Sequence, residues 1–111
     1  MSTHGTGVMA QELEPLVDLF KLLADKTRLN ILMILAEGER NVSSLCGELA
    51  LPQPTVSHHL GLLRMNNVVG NRRHGKQVFY ALHASNGEFA NGTVMEFGLQ
   101  NLMVQVKPKS K

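Results

Sequence analysis

The hydrophobic positions along the chain change their period once, near Asn66. Upstream, Leu13, Leu16, Val17, Phe20, Leu23 and Ala24 recur at steps of three and four and predict a helix over 12–24, its stripe widened by Leu19 and Leu22. Asp25 is placed to N-cap a second helix, 26–37, which stops at Gly38. Leu29, Ile31, Leu32, Met33, Ile34, Leu35 and Ala36 make that helix apolar nearly all round, so it should run through the middle of the fold. Asn41 can cap a short third helix with Val42, Leu45, Cys46 and Leu49 at i, i+3, i+4 and i+7. A tight turn at 50–52 leads into a fourth helix, 53–65, with Pro54 in its first turn and a narrow seam of Val56, Leu60 and Leu63. Two helices joined by about three residues form a helix-turn-helix.

Downstream the pattern alternates. Segments 68–72 and 77–82 are rich in Val, Phe and Tyr and flank Arg73 to Lys76, which predicts a short β-hairpin turning at His74 and Gly75. Met95, Leu99, Leu102 and Val106 return to a helical step and predict a last helix, although Gly87, Gly92 and Gly98 each weaken it by about 1 kcal/mol. The expected fold is mainly α with a small β-hairpin: a winged helix-turn-helix over 12–106, with a flexible N-terminus, 1–11, and a basic tail, 107–111.

Composition adds little until its distribution is considered. A chain of 111 residues with 43% hydrophobic content suits one domain, and a net charge of +2 does not identify a polyanion-binding protein. Residues 1–63 carry four basic and seven acidic side chains, however, whereas 64–111 carry seven basic and two acidic, and no acid lies between Glu48 and Glu88. A single cysteine and the lack of a charged-then-apolar leader fit a reduced, cytoplasmic protein, and no apolar run approaches the roughly 18 residues that cross a bilayer.

Burying Val56, Leu60 and Leu63 turns Pro54, Ser57, His58 and Gly61 outward, with Gln53 and Thr55 in the first turn. That small, polar face can enter a DNA major groove, where Gln pairs with adenine and Ser, Thr or His bond base edges or phosphates. Gly61 has no side chain to hold the helix away from DNA. Arg72, Arg73 and Lys76 around the hairpin tip can follow phosphates. Arg64 has two readings, a phosphate contact or a cation offsetting the helix dipole. His59 lies beside the apolar seam and reads as a packing or hydrogen-bonding residue.

The stretches LLADKTRLNILMIL (22–35), LPQPTVSHHLGLLR (51–64) and VVGNRRHGKQVFYAL (68–82) resemble the hallmark segments of ArsR/SmtB-type repressors, a likeness spanning about 12–83. It implies a homodimeric repressor whose fourth helix reads the major groove while the wing lies along the backbone. One short reading helix per chain calls for a symmetric dimer on an inverted-repeat operator. Leu13, Leu16 and Phe20 of the first helix, with Leu99, Leu102 and Met103 of the last, are the expected dimer surface, each with the chain's own core as its other reading.

Such repressors often carry a metal site at the start of the third helix or on the last one. Here Asn41 and Ser43 stand where paired cysteines would be expected, and 84–111 contain no His or Cys. Soft-metal sites need about three or four converging thiolate or imidazole ligands, so neither metal site nor cofactor is expected and the effector is unknown. Cys46 reads either as a small hydrophobe on an apolar face or as a redox thiol with no second cysteine to resolve it. A protein-interaction module is the alternative function, suggested by Leu62 and Met65 leaning outward. Catalysis is not expected: Ser57, His58 and His59 point about 100° apart in turn, and no orienting acid lies near.

Overall fold

The computed structural model describes residues 3–83, 95–99, 101–107 and 109. Among these it contains helices α1 (Thr3–Leu23), α2 (Lys26–Glu37), α3 (Val42–Leu49) and α4 (Gln53–Met65). Its strands are β1 (Arg40–Asn41), β2 (Val69–His74), β3 (Gln77–Leu82), β4 (Met95–Gly98) and β5 (Met103–Val106). Strands β1 to β3 form an antiparallel sheet in the order β1-β3-β2, and β4 pairs with β5.

Both expected caps form. Asp25 Oδ1 accepts from the Arg28 amide at 2.9 Å, and Asn41 Oδ1 accepts from the Ser44 amide at 2.7 Å, satisfying donors that an α-helix leaves open at its first turn. In the helix-turn-helix, Ala50 ends α3 in the left-handed region (φ 55°) while the Leu51 amide bonds the Cys46 carbonyl. Ile31, Leu32 and Leu35 of α2 are fully buried and meet Leu45 of α3, Val56, Leu60 and Leu63 of α4 and Val69 of β2. Each such aliphatic side chain contributes about 1.5–3 kcal/mol by leaving water, so α2 is the axis on which the helix-turn-helix is fixed.

Three expectations need correction. α1 begins at Thr3 rather than Glu12, so the backbone of the segment read as a flexible N-terminus is helical from there. Once a turn is nucleated each further residue adds a hydrogen bond, and Pro15 interrupts that ladder only locally. The hairpin turns one residue later than expected, at Gly75 and Lys76, between the closing pair His74 and Gln77. Gly75 takes φ +64° there, a conformation costing other L-residues about 1–2 kcal/mol.

The third correction is larger: among the described residues the last helix is absent, and β4 and β5 stand where it was expected. Met95 and Val106 of that helical step fit a period of two inside β4 and β5 equally well, while Leu99 and Leu102 fall just outside the strands. Met95 pairs with Val106 and Phe97 with Val104, which puts Met95, Phe97 and Val104 on one face against the core, while Glu96 and Gln105 bond across the other at 2.7 Å. Gly98 and the β-branched Val104 and Val106 favour this outcome over a helix. Leu99 and Leu102 therefore close a turn, half-buried, and Met103 begins a strand with its side chain exposed. None of the three belongs to a helix shared between subunits. Residues 84–94, with Gly87 and Gly92, lie outside the described residues.

Candidate nucleic-acid interface

The outward side of α4 follows from its buried one. With Val56, Leu60 and Leu63 wholly enclosed, Gln53, Pro54, Ser57, His58 and Arg64 are exposed, and Thr55 and Gly61 are half-buried. A Cβ on Gly61 would meet nothing within 4 Å, so the chain's own packing does not require glycine at this position. Met65 is exposed, whereas Leu62 packs against the core and is not available as an outward anchor.

His59 is held from behind the reading face. Its Nδ1 accepts from the Arg28 guanidinium at 3.2 Å, since that group only donates. Arg28 also donates through Nε to the Leu22 carbonyl at 2.6 Å, and its side chain is only 15% exposed. The backbone hydrogen bond from Arg28, reinforced by the charge of Arg28, keeps the Asp25 carboxyl below the ordinary aspartate range against a desolvation penalty. One arginine thus ties the end of α1 and the start of α2 to the middle of α4.

In the wing, directly paired residues share a face, so Arg72 and its partner Phe79 stand together, and Asn41 of β1 lies beyond Phe79 in the same row. The Arg72 guanidinium sits 4.9 Å from the Phe79 ring centre. It reaches Glu39 with Nε and Nη2, each 2.8 Å from a carboxylate oxygen. This bond from Arg72 holds the Glu39 carboxyl below the ordinary glutamate range. Arg73 and Lys76 are exposed, and among the described residues neither they nor Arg64 pairs with a carboxylate.

The wing tip and the start of α4 face each other across a cleft of about 430 Å³ lined by Asn41, Val42, Ser43, Cys46, Gln53, Lys76, Gln77 and Val78. The cleft brings Gln53 and Lys76 together and adds Asn41, Ser43 and Gln77, which sequence reasoning did not assign to the site. Their signal was weak because β1 is two residues long, too short to show alternation. Cys46 is half-buried, lines the cleft and packs against the core.

A second surface lies on α1. Leu19, Leu22 and Leu23 are buried, while Leu13 (52% exposed), Val17 (45%) and Phe20 (51%) form a stripe on another side, with Leu16 half-buried between. Val17 extends the expected set by one helical step. Among the described residues no three His, Cys, Asp or Glu side chains are grouped to hold a metal, and no helix is long and apolar enough to cross a membrane.

Residues 25–69 match the family model of bacterial regulatory proteins of the arsR family. The chain is 48% identical over 67 residues to the arsenical resistance operon repressor of Escherichia coli, covering 60% of this chain and 57% of that one. It resembles the crystal structure of the transcriptional repressor BigR from Xylella fastidiosa with a TM-score of 0.65 and 34% identity, covering 78% of this chain and 85% of that one. It also resembles a homodimeric winged helix-turn-helix DNA-binding domain from Mycobacterium bovis, a possible ArsR-family regulator solved by NMR, with a TM-score of 0.64 and 31% identity, covering 70% of this chain and 72% of the mycobacterial one. The chain spans between half and three-fifths of the length of the first curated relatives that it matches.

Proposed function

We propose that this chain, which belongs to the ArsR family of bacterial regulatory proteins, is a dimeric, sequence-specific DNA-binding repressor that reads an inverted-repeat operator. The observation that carries this reading is the outward face of α4, where Ser57 and His58 are exposed and a Cβ on Gly61 would meet only open space. Gln53, Pro54, Thr55, Ser57 and His58 meet base edges and adjoining phosphates in the major groove. Arg64, Arg73 and Lys76, which lack carboxylate partners among the described residues, neutralise phosphates on either side. The stripe of Leu13, Val17 and Phe20 covers its counterpart on a second copy, setting two reading helices about 34–36 Å apart. The repressor and homodimer described for the Xylella and mycobacterial relatives support this reading. The family's role as regulators also favours a non-enzymatic, cytoplasmic protein.

Replacing Ser57 and His58 together by Ala should leave the unfolding midpoint unchanged and reduce discrimination between operator and random duplex by about 1–3 kcal/mol per lost base contact. Unaltered discrimination in a fluorescence-anisotropy titration would refute the assignment of α4 as the reader. With Asn41 and Ser43 at the start of α3 and Cys46 as the single thiol, Zn(II) and As(III) should leave the DNA complex intact in the same titration.

A further inference from the structure

Of the three basic residues at the wing, Arg72 is committed within the chain. Antiparallel strands lie about 4.8 Å apart, so β2 and β1, at opposite edges of the three-stranded sheet, are separated by about 10 Å. The Arg72 side chain starts on β2, passes over Phe79 on β3 and ends on Glu39, just before β1. It therefore crosses the whole sheet. Exposed ion pairs are commonly weak because two long side chains must be immobilised in one geometry. Here the aromatic ring supports the guanidinium and the two parallel bonds fix its plane, which are the conditions under which such a pair holds a set geometry.

We propose that Arg72 and Glu39 form a strut that sets the angle of the wing to α4, so Arg72 is a positioning residue and Arg73 and Lys76 supply the wing's phosphate contacts. Glu39 closes α2 onto β1, and β1 runs directly into α3 of the helix-turn-helix. A clamp between Glu39 and the outer strand consequently ties the wing to the body that carries the reading helix. Arg73 is the next residue on β2 and points to the opposite face, so the same strand commits one exposed cation to Glu39 across the sheet and leaves the next without a carboxylate partner among the described residues. This assignment rests on the DNA-binding reading.

The test is a charge swap, with Arg72→Glu, Glu39→Arg and the double variant, which alone conserves net charge, titrated against a labelled duplex selected from a random pool. Each single variant should bind several-fold more weakly, and the double variant should recover to within about twofold. Arg72→Gln should leave the slope of log K against log salt unchanged, whereas Arg73→Gln should lower its magnitude by about 0.9, the value of one phosphate contact. A double variant that stays weak, or a slope that falls by that amount in Arg72→Gln, overturns the strut. A nuclear magnetic resonance signal for the Arg72 Nε proton that is protected from exchange and lost in Glu39→Gln is expected without DNA, and its absence also overturns the strut. If the unsubstituted protein binds no duplex in a salt-dependent way, the DNA-binding reading fails and the positioning role with it, whatever the resonance shows.

Discussion

Helices α1 and α4 send one side each into the same core, yet their other sides differ in kind. α1 leaves Leu13, Val17 and Phe20 in solvent, an apolar stripe at steps of four and three, while α4 leaves the polar Gln53, Ser57 and His58 at similar spacing, with half-buried Gly61 beyond them. The buried sides, Leu19 with Leu22 and Val56 with Leu60, are interchangeable in chemistry and only locate the helices. Function resides in the outward sides. An apolar stripe lowers its free energy by meeting another apolar surface, whereas a small polar face keeps its hydrogen bonds available and can approach a groove closely.

The sharpest way to break this contrast is to make the α1 stripe polar. Replacing Leu13 and Phe20 together by Asp should give a folded monomer by analytical ultracentrifugation, with an unfolding midpoint lowered by the loss of the dimer contact, and duplex affinity should fall on the order of a hundredfold as the second half-site is lost. A dimer that survives this change would place the subunit contact elsewhere.

A smaller effect is expected at the link between the two helices. Asp25→Ala removes the α2 cap and should cost about 1 kcal/mol in a denaturant titration near neutral pH. Because the Asp25 carboxyl is held below its ordinary range, its contribution is complete above that range and disappears as pH falls through the lowered value. Mutant and parent should therefore converge in acid, and a gap that stays constant into acid would show that the carboxylate's charge is not involved.

The smallest effect separates stability from function at a single position. Gly61→Ala places a Cβ in open space on a helix and should raise stability by about 0.5–1 kcal/mol. Gly61→Leu should fold equally well and bind duplex more weakly, since the added side chain projects from the reading face. Equal affinity for the leucine variant would mean that no DNA approaches α4 at Gly61.

The helical body and its caps were legible because period, cap residue and breaker agree: Asp25 before 26–37, Asn41 before α3 and Pro54 in the first turn of α4. The outward residues of α4 followed from its three buried ones by geometry alone. The last segment misled because Met95, Leu99, Leu102 and Val106 satisfy a helical step while Met95, Phe97 and Val104 satisfy strand pairing, and only cross-strand contact with the core decides between them. The Arg72–Glu39 pair was invisible for a related reason. The two residues are 33 positions apart, and their meeting depends on β1, a two-residue strand without a period of its own. What sequence pattern conveys is the orientation of one element at a time, and both failures lie where two elements must meet.

The central claim is tested most directly by selecting bound duplexes from a random pool with the purified protein at two salt concentrations. The account predicts enrichment of an inverted repeat with half-sites about one helical turn apart, and affinity that falls steeply as salt rises. A pool that remains random, with retention indifferent to salt, would contradict it.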